Sequence, residues 1–202
     1  MSVTARSDLP LVRARHPQTL LRLAHKASSE LHAAVEERLG RGTIAAVDAA
    51  IAGAWIPIEL DVAVIEAVAA VFGERATNAL VLSRQRDEMG SALFAAFVEA
   101  VLRLSGASAA FVLRRLPMAW NQLFRDVGRL ELLEVRDDAA RVALVDLPRV
   151  CADSAAWVAA VPHGLAIAFE LVGVEGLVTY ADGARGRDLT LDFRWENRRA
   201  RP

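Results

Sequence analysis

The sequence predicts an α+β fold, in which an N-terminal helical layer packs on a C-terminal antiparallel sheet formed by two hairpins around a helix (ββαββ). Three observations carry that expectation. Within residues 116–132 the hydrophobic period changes: Trp120, Leu123, Phe124 and Val127 fall at helical spacing, whereas Leu130 and Leu132 alternate with Arg129 and Glu131. Before that stretch every apolar pattern has a helix's period. After it, two pairs of alternating runs flank one helical stripe, and a sheet with one strictly apolar face must be covered by the available helices.

Composition narrows the functional classes. The chain has 202 residues, 54% hydrophobic and 24% charged, which fits one globular domain with a substantial core. A formal net charge of −1 provides no overall field for nucleic acid or anionic lipid. All but one of the 24 basic side chains are arginine, Lys26 being the exception, a skew that fits a GC-rich coding bias. One cysteine, Cys151, rules out an internal disulfide and fits a reducing compartment. No apolar run approaches the ~18 residues of a membrane span, and the start lacks the apolar core of a secretory signal. The expectation is a soluble cytoplasmic chain with residues 1–16 flexible, 17–195 forming one α+β domain and 196–202 a disordered tail.

Taken in order, Pro17 suits the first turn of a long helix marked by Leu20, Leu23, Ala24, Ala27, Leu31 and Val35 and ended by Gly40 and Gly42. Thr43 can cap a second, mostly apolar helix carrying Ile44, Val47 and Ile51. Pro57 biases Ile56 toward an extended backbone within the apolar turn of residues 55–58. Asp61 offers a cap for a third helix that runs to Phe72 and stops at Gly73. Residues 74–89, with Arg84, Arg86, Asp87 and Glu88, form a polar fourth helix expected to face water. Ser91 restarts the pattern through Phe94, Phe97, Val101 and Leu104, with Glu99 and Arg103 paired on another face. Ser108 caps the next helix, which Pro117 interrupts, and Gly128 can close the helix of the opening stretch.

The second half carries the strands. Residues 130–135 and 141–146 flank Asp137 and Asp138 as a hairpin, and the slip of phase at Leu132 and Leu133 predicts a bulge. Asp153 or Ser154 caps a helix through Trp157, Val161 and Leu165, with a kink, or two short helices meeting, expected at Pro162. Residues 177–181 and 189–195 form the second hairpin, and Leu189, Leu191, Phe193 and Trp195 alternate without error.

This order of elements resembles the superfamily that contains haem-NO-binding domains, 4-vinyl-reductase-type sensing domains and the small subunits of vesicle-tethering complexes. More narrowly, it resembles a myxobacterial paralogous family. The residues that carry the resemblance are Ala54 to Leu60 before a helix, Leu116-Pro117 with Trp120, Phe124 and Gly128, then Gly164, and the closing Phe193-Arg194-Trp195. It covers roughly residues 43 to 195 and implies the fold, with no catalytic residue to carry over. Haem-NO-binding domains resemble one another in an axial histidine followed by Tyr-x-Ser-x-Arg. Here Tyr180 is followed by Ala181, Asp182, Gly183 and Ala184, so the expectation is no haem and no other cofactor.

The candidate sites are few. His25, His32 and Glu36 could suggest a metal, but on one straight helix the histidines would lie about 10 Å apart along the axis, which favours a solvated face. Cys151 precedes a helix cap, where a thiol can be activated, although a lone cysteine is more often a small buried hydrophobe. Arg194, Arg198, Arg199 and Arg201 read as a solvated tail. No phosphate loop, dinucleotide fingerprint, zinc spacing or nucleophile elbow is present. Trp55, Phe94, Phe97, Phe111, Trp120 and Trp157, with His163 at a helix irregularity, could ring an apolar ligand pocket, or simply be core. The first expectation is therefore a non-enzymatic protein-interaction or signalling domain, pairing with a protein partner or a second copy through its helical face. The alternative is a sensor that binds a hydrophobic small molecule between helices and sheet.

Overall fold

A computed structural model describes residues 9–89, 108–182 and 186–196. Its elements, numbered among these residues, are β1 (Leu11–Arg13), α1 (Arg15–Ala27), α2 (Ser29–Asp48), β2 (Trp55–Pro57), α3 (Ile58–Phe72) and α4 (Glu74–Met89). After the gap come α5 (Ala109–Leu113), α6 (Leu116–Leu123), β3 (Phe124–Arg125), β4 (Arg129–Val135) and β5 (Ala139–Val145). The chain ends in α7 (Arg149–Ala152), α8 (Ala155–Leu165), α9 (Ile167–Leu171), β6 (Gly176–Asp182) and β7 (Leu189–Trp195).

The α+β arrangement is as the period change predicts. The C-terminal strands form an antiparallel sheet in the order β4-β5-β7-β6, two hairpins joined edge to edge through β5 and β7. Along β7, Leu189, Leu191, Phe193 and Trp195 are buried and the residues between them are not. This face is covered by helices: α6 packs on β4, α5 on β5 and α8 on β6. The expected bulge falls between Leu132 and Glu134. At the first turn, Asp137 and Asp138 separate β4 from β5 as expected.

The helical layer departs from the sequence reading in instructive places. The long first helix is two: Ser28 takes an extended conformation (φ −161°, ψ 116°) and its hydroxyl accepts from the Leu31 backbone N–H, capping α2. Gly40, at φ 74°, breaks α2 where the sequence placed its end. Residues 11–16 are ordered and not loose. β1 lies at the centre of a small sheet between β2 and β3, Val12 and Ala14 are fully buried, and so is His16. Alternation over three residues is too short a signal to read without its pairing partners. Phe94 and Phe97, and the helix expected around them, lie outside the described residues, as do residues 1–8 and the tail 197–202.

Two further boundaries shift. The stripe of residues 120–127 is helix only as far as Leu123. Phe124 already pairs with Val12, and Asp126 turns the chain at φ 56°. The Trp120 indole N–H donates to the Val127 carbonyl at 3.1 Å and closes that turn. Pro162 is accommodated inside α8, and the helix breaks instead at Ala166, beyond Leu165. Ser154, one of the two residues offered as a cap, accepts from the Trp157 N–H.

Gly128 sits where backbone and neighbours both demand glycine. Its φ is 67°, and a Cβ there would lie 2.6 Å from the Val145 carbonyl oxygen of the paired strand. Gly128→Ala is therefore expected to cost about 2 kcal/mol or more, read as a lower urea midpoint. Gly42→Ala, with nothing within 4 Å of the new methyl, should be neutral or gain up to about 1 kcal/mol.

Candidate functional site

Along α4, Thr77, Val81, Arg84 and Glu88 recur at helical spacing and are all buried, so this helix turns a stripe inward that ends in a cation and an anion one turn apart. The outer face carries Arg86 and Asp87, which form exposed bridges to Glu170 and Arg22. The sequence reading of α4 as a water-facing helix thus holds for Arg86 and Asp87 and fails for Arg84 and Glu88. The reason is tertiary: α4 packs against α1, α3 and α8, which bury its polar stripe.

Each buried charge on α4 meets a partner from another helix. Arg84 Nη1 donates to Asp61 Oδ1 at 3.4 Å, and the Trp157 indole N–H donates to the other oxygen of Asp61 at 3.2 Å. Glu88 Oε1 lies 2.8 Å from His16 Nδ1. Asp61, expected as a helix cap, is instead fully buried in the first turn of α3 and joins α3, α4 and α8. Burial alone would push the Glu88 carboxyl upward. The facing His16 ring, then Arg84 and Arg15, outweigh it and hold Glu88 below the usual carboxylate range.

Around this network lies a cavity of about 1180 Å³ of empty space, counting the part open to solvent at its mouth. Its polar wall is Arg15 and His16 from α1 with Arg84, Gln85 and Glu88 from α4, and Arg115 adds a further cation from the start of α6. Facing these, α6, α8 and α9 contribute Leu116, Trp120, Leu123, Val161, Ala168 and Leu171. Trp120 stacks on Phe124 with centroids 4.3 Å apart, and Trp157 meets both rings edge-on at 6.3 Å. His16 stands edge-on to Phe124 at 5.3 Å. An aromatic corner of this kind is rigid, because each ring fixes the orientation of the next.

Of the residues offered for a pocket, Trp120 and Trp157 line the cavity. Trp55 does not: it sits on β2 in the small sheet, with the Arg13 and Arg125 guanidinium groups 3.9 and 4.5 Å from its ring centre. Phe111 is half-buried on α5 beneath Arg115, whose guanidinium lies 5.2 Å from the ring centre. His163 is exposed on α8 and is not part of the wall. Cys151 is fully buried, and burial, with Asp61 and Glu59, pushes its thiol far above the ordinary value, which disfavours the thiolate. The break at Ser28 brings His25 and His32 to 4.9 Å between ring centres, closer than one straight helix allows. Even so, no group of three or more potential metal ligands occurs among the described residues.

The residues that the sequence did not offer are His16, Asp61, Arg84 and Glu88. The stripe Thr77, Val81, Arg84, Glu88 was a signal for two of them. His16 and Asp61 gave none, since each depends on a partner 72 or 23 residues away.

No protein-family model matches the sequence, and no curated sequence is significantly similar to it. Solved structures are similar in shape. The unliganded Fe(II) H-NOX protein from K. algicida superposes with a TM-score of 0.62 at 7% identity, over 94% of this chain and 100% of that one. A mutant H-NOX from T. tengcongensis gives 0.57 at 13%, over 92% and 98%. An oxygen-binding H-NOX domain related to soluble guanylate cyclases gives 0.56 at 15%, over 92% and 95%. The fold is that of an H-NOX domain.

The residues present do not fit the haem that this fold implies. Of the four histidines, only His16 lines the cavity, and its Nδ1 is engaged by Glu88 while its ring is wedged against Phe124. His25, His32 and His163 lie elsewhere. Tyr180 is exposed on the edge strand β6 and is not part of the cavity wall. No step is therefore derived through haem.

Two outcomes test the network. Asp61→Ala leaves Arg84 buried without its counter-charge and is expected to cost about 3–5 kcal/mol. Asp61→Ala combined with Arg84→Met should cost clearly less, read by urea denaturation of both variants. For Glu88, whose folded pKa lies below the ordinary 4.5, the stabilising contribution is complete above that value. It is lost as pH falls through the lower folded value. The stability gap between the parent chain and Glu88→Gln should accordingly narrow on going from about pH 7 to about pH 3, measured by thermal melts across that range.

Proposed function

We propose that this chain is a non-enzymatic signalling domain that takes up a small, mainly apolar molecule in the cavity between α1, α4, α6, α8 and α9. Its output is contact with a protein partner or a second copy through the helical side. The observation that carries this reading is the cavity: apolar on most of its surface, it contains a few buried polar groups at one wall, the usual form of a small-molecule site. The oxygen-binding H-NOX domain shows that a relative in shape holds a ligand. We further propose that the chain belongs with the myxobacterial family that its sequence resembles and works in the cytoplasm. No described helix is long and apolar enough to cross a membrane.

Chemistry on a substrate has little support here. Arg84 and Glu88 each have one partner within the fold, and neither Cys151 nor His163 lines the cavity. A binding function requires only that the space be filled and emptied. The large exposed apolar side chains Leu31, Ile51 and Met118 lie on or beside the helices and are the candidates for an output surface.

Ala119 lines the cavity from a half-exposed position, so Ala119→Trp can narrow the space with little strain on the core. The neutral dye Nile red is expected to bind the parent chain and quench Trp120 and Trp157, and to bind Ala119→Trp at least about tenfold more weakly, a loss of ~1.4 kcal/mol. Equal binding to both proteins would mean that the dye, and by extension the ligand, sits elsewhere.

A further inference from the structure

The polar wall of the cavity has an unusual balance. Arg84 and Glu88 are 3% and 6% exposed, and each gives only part of its hydrogen-bonding capacity to the protein. Arg84 Nη1 is taken by Asp61, and Glu88 Oε1 by His16. Arg84 Nε and Glu88 Oε2 are left buried without a hydrogen-bond partner. An orphaned polar atom of this kind costs about 1–3 kcal/mol, and native folds seldom keep two side by side unless something else supplies the partner. Both residues line the cavity, one helical turn apart on α4, which places their side chains within about 6 Å at the base. A small head group that moves in between these two side chains would give each orphan its partner.

The orphans are a donor and an acceptor, and their surroundings discriminate by charge. A carboxylate directed at Arg84 would also face Glu88, an anion of the same wall. An ammonium directed at Glu88 would face Arg84 and Arg15. Asp61 and Arg84 already offset each other, and Glu88 has His16 beside it. The wall's further cations, Arg15 and Arg115, can offset a carboxylate. A carboxylate, however, has no proton to give Glu88 and an ammonium no lone pair to offer Arg84, so either ion leaves one orphan buried unpaired. An uncharged group that both accepts and donates fits without that cost. The remaining wall, with Leu116, Trp120, Leu123, Val161 and Leu171, suits a hydrocarbon body.

We infer that the cavity selects an uncharged amphiphile, an alcohol or primary amide on an apolar body, whose head group accepts from Arg84 Nε and donates to Glu88 Oε2. This rests on the reading that the cavity holds a small molecule.

The test is a matched series added to the full chain: octan-1-ol, octanamide, heptyl methyl ether, octanoate and octylammonium, with binding read by tryptophan fluorescence and native mass spectrometry. The alcohol and the amide should bind about tenfold or more tightly than the ether, which only accepts, and than either ion, as expected for one hydrogen bond to a charged group. Glu88→Gln can still accept from His16 through its amide oxygen while turning a donor toward the cavity. In that variant the advantage of octan-1-ol over the ether should fall to about one. Should the variant not fold, the ranking on the parent chain decides alone. Uniform binding across the series, an ion binding best, or a folded Glu88→Gln with the parent's ranking would overturn the head-group assignment and leave the cavity reading standing. Binding by no member, together with no uptake of Nile red, would overturn both.

Discussion

The constraint on which the helical half depends is the burial of two opposite charges one turn apart on α4. Arg84 and Glu88 are both almost wholly buried, so each requires a partner from another helix, and the partners come from different directions: Asp61 on α3 and His16 on α1. Trp157 adds α8 through the second oxygen of Asp61. Apolar contacts would let these helices slide past one another with modest loss, because dispersion has little direction. A buried ion pair does not, since a shift of an ångström or two leaves a charge without compensation. The four helices are thereby fixed in register around α4.

That register keeps the cavity open. The sheet side is well filled: Phe169 packs against Phe193 and Trp195 at 6.0 Å, and β7 buries four large side chains in alternation. On the α4 side the wall is built from charged and aromatic groups whose positions are set by hydrogen bonds, so they do not collapse into the space between them. Alanines at 119, 160 and 168 face the same space and contribute little volume. Small residues opposite fixed large ones leave a void that the fold cannot close without breaking one of the buried pairs.

How much of this was legible in the sequence follows from the range of the interactions. Strand alternation in residues 189–195, the bulge near Leu132 and the Ser108 and Ser154 caps are local, and they were readable because the deciding contacts lie within a few residues. Pro57 likewise marked the extended Ile56. The site was not legible for the opposite reason. His16 is linked to Glu88 across 72 residues and Trp157 to Asp61 across 96, and no periodicity reports such pairs. Charged residues on a helix are read as solvated by default, a rule that served Arg86 and Asp87 and misplaced their neighbours Arg84 and Glu88. Aromatic residues had the converse difficulty. Trp55 and Trp120 look alike in the chain, yet one is covered by two arginines on the small sheet and the other lines the cavity.

The similarity to H-NOX structures at 6–15% identity concerns the scaffold, since so few shared residues can keep helix lengths and the sheet while the interior is rewritten. The division of labour within this chain shows where rewriting is tolerated. The sheet is tied by continuous ladders of backbone hydrogen bonds that do not depend on side-chain identity. The helical half is held by a small number of specific side-chain pairs, so exchanging those pairs changes the cavity without disturbing the sheet. On its outer face α4 is joined to α1 and α9 by exposed bridges, Arg22 to Asp87 and Arg86 to Glu170, each worth about 0–1 kcal/mol. The deep contacts resist movement and the outer ones do not. The outer faces of these helices are therefore the easiest to displace, and the register of α3, α4 and α8 is the hardest.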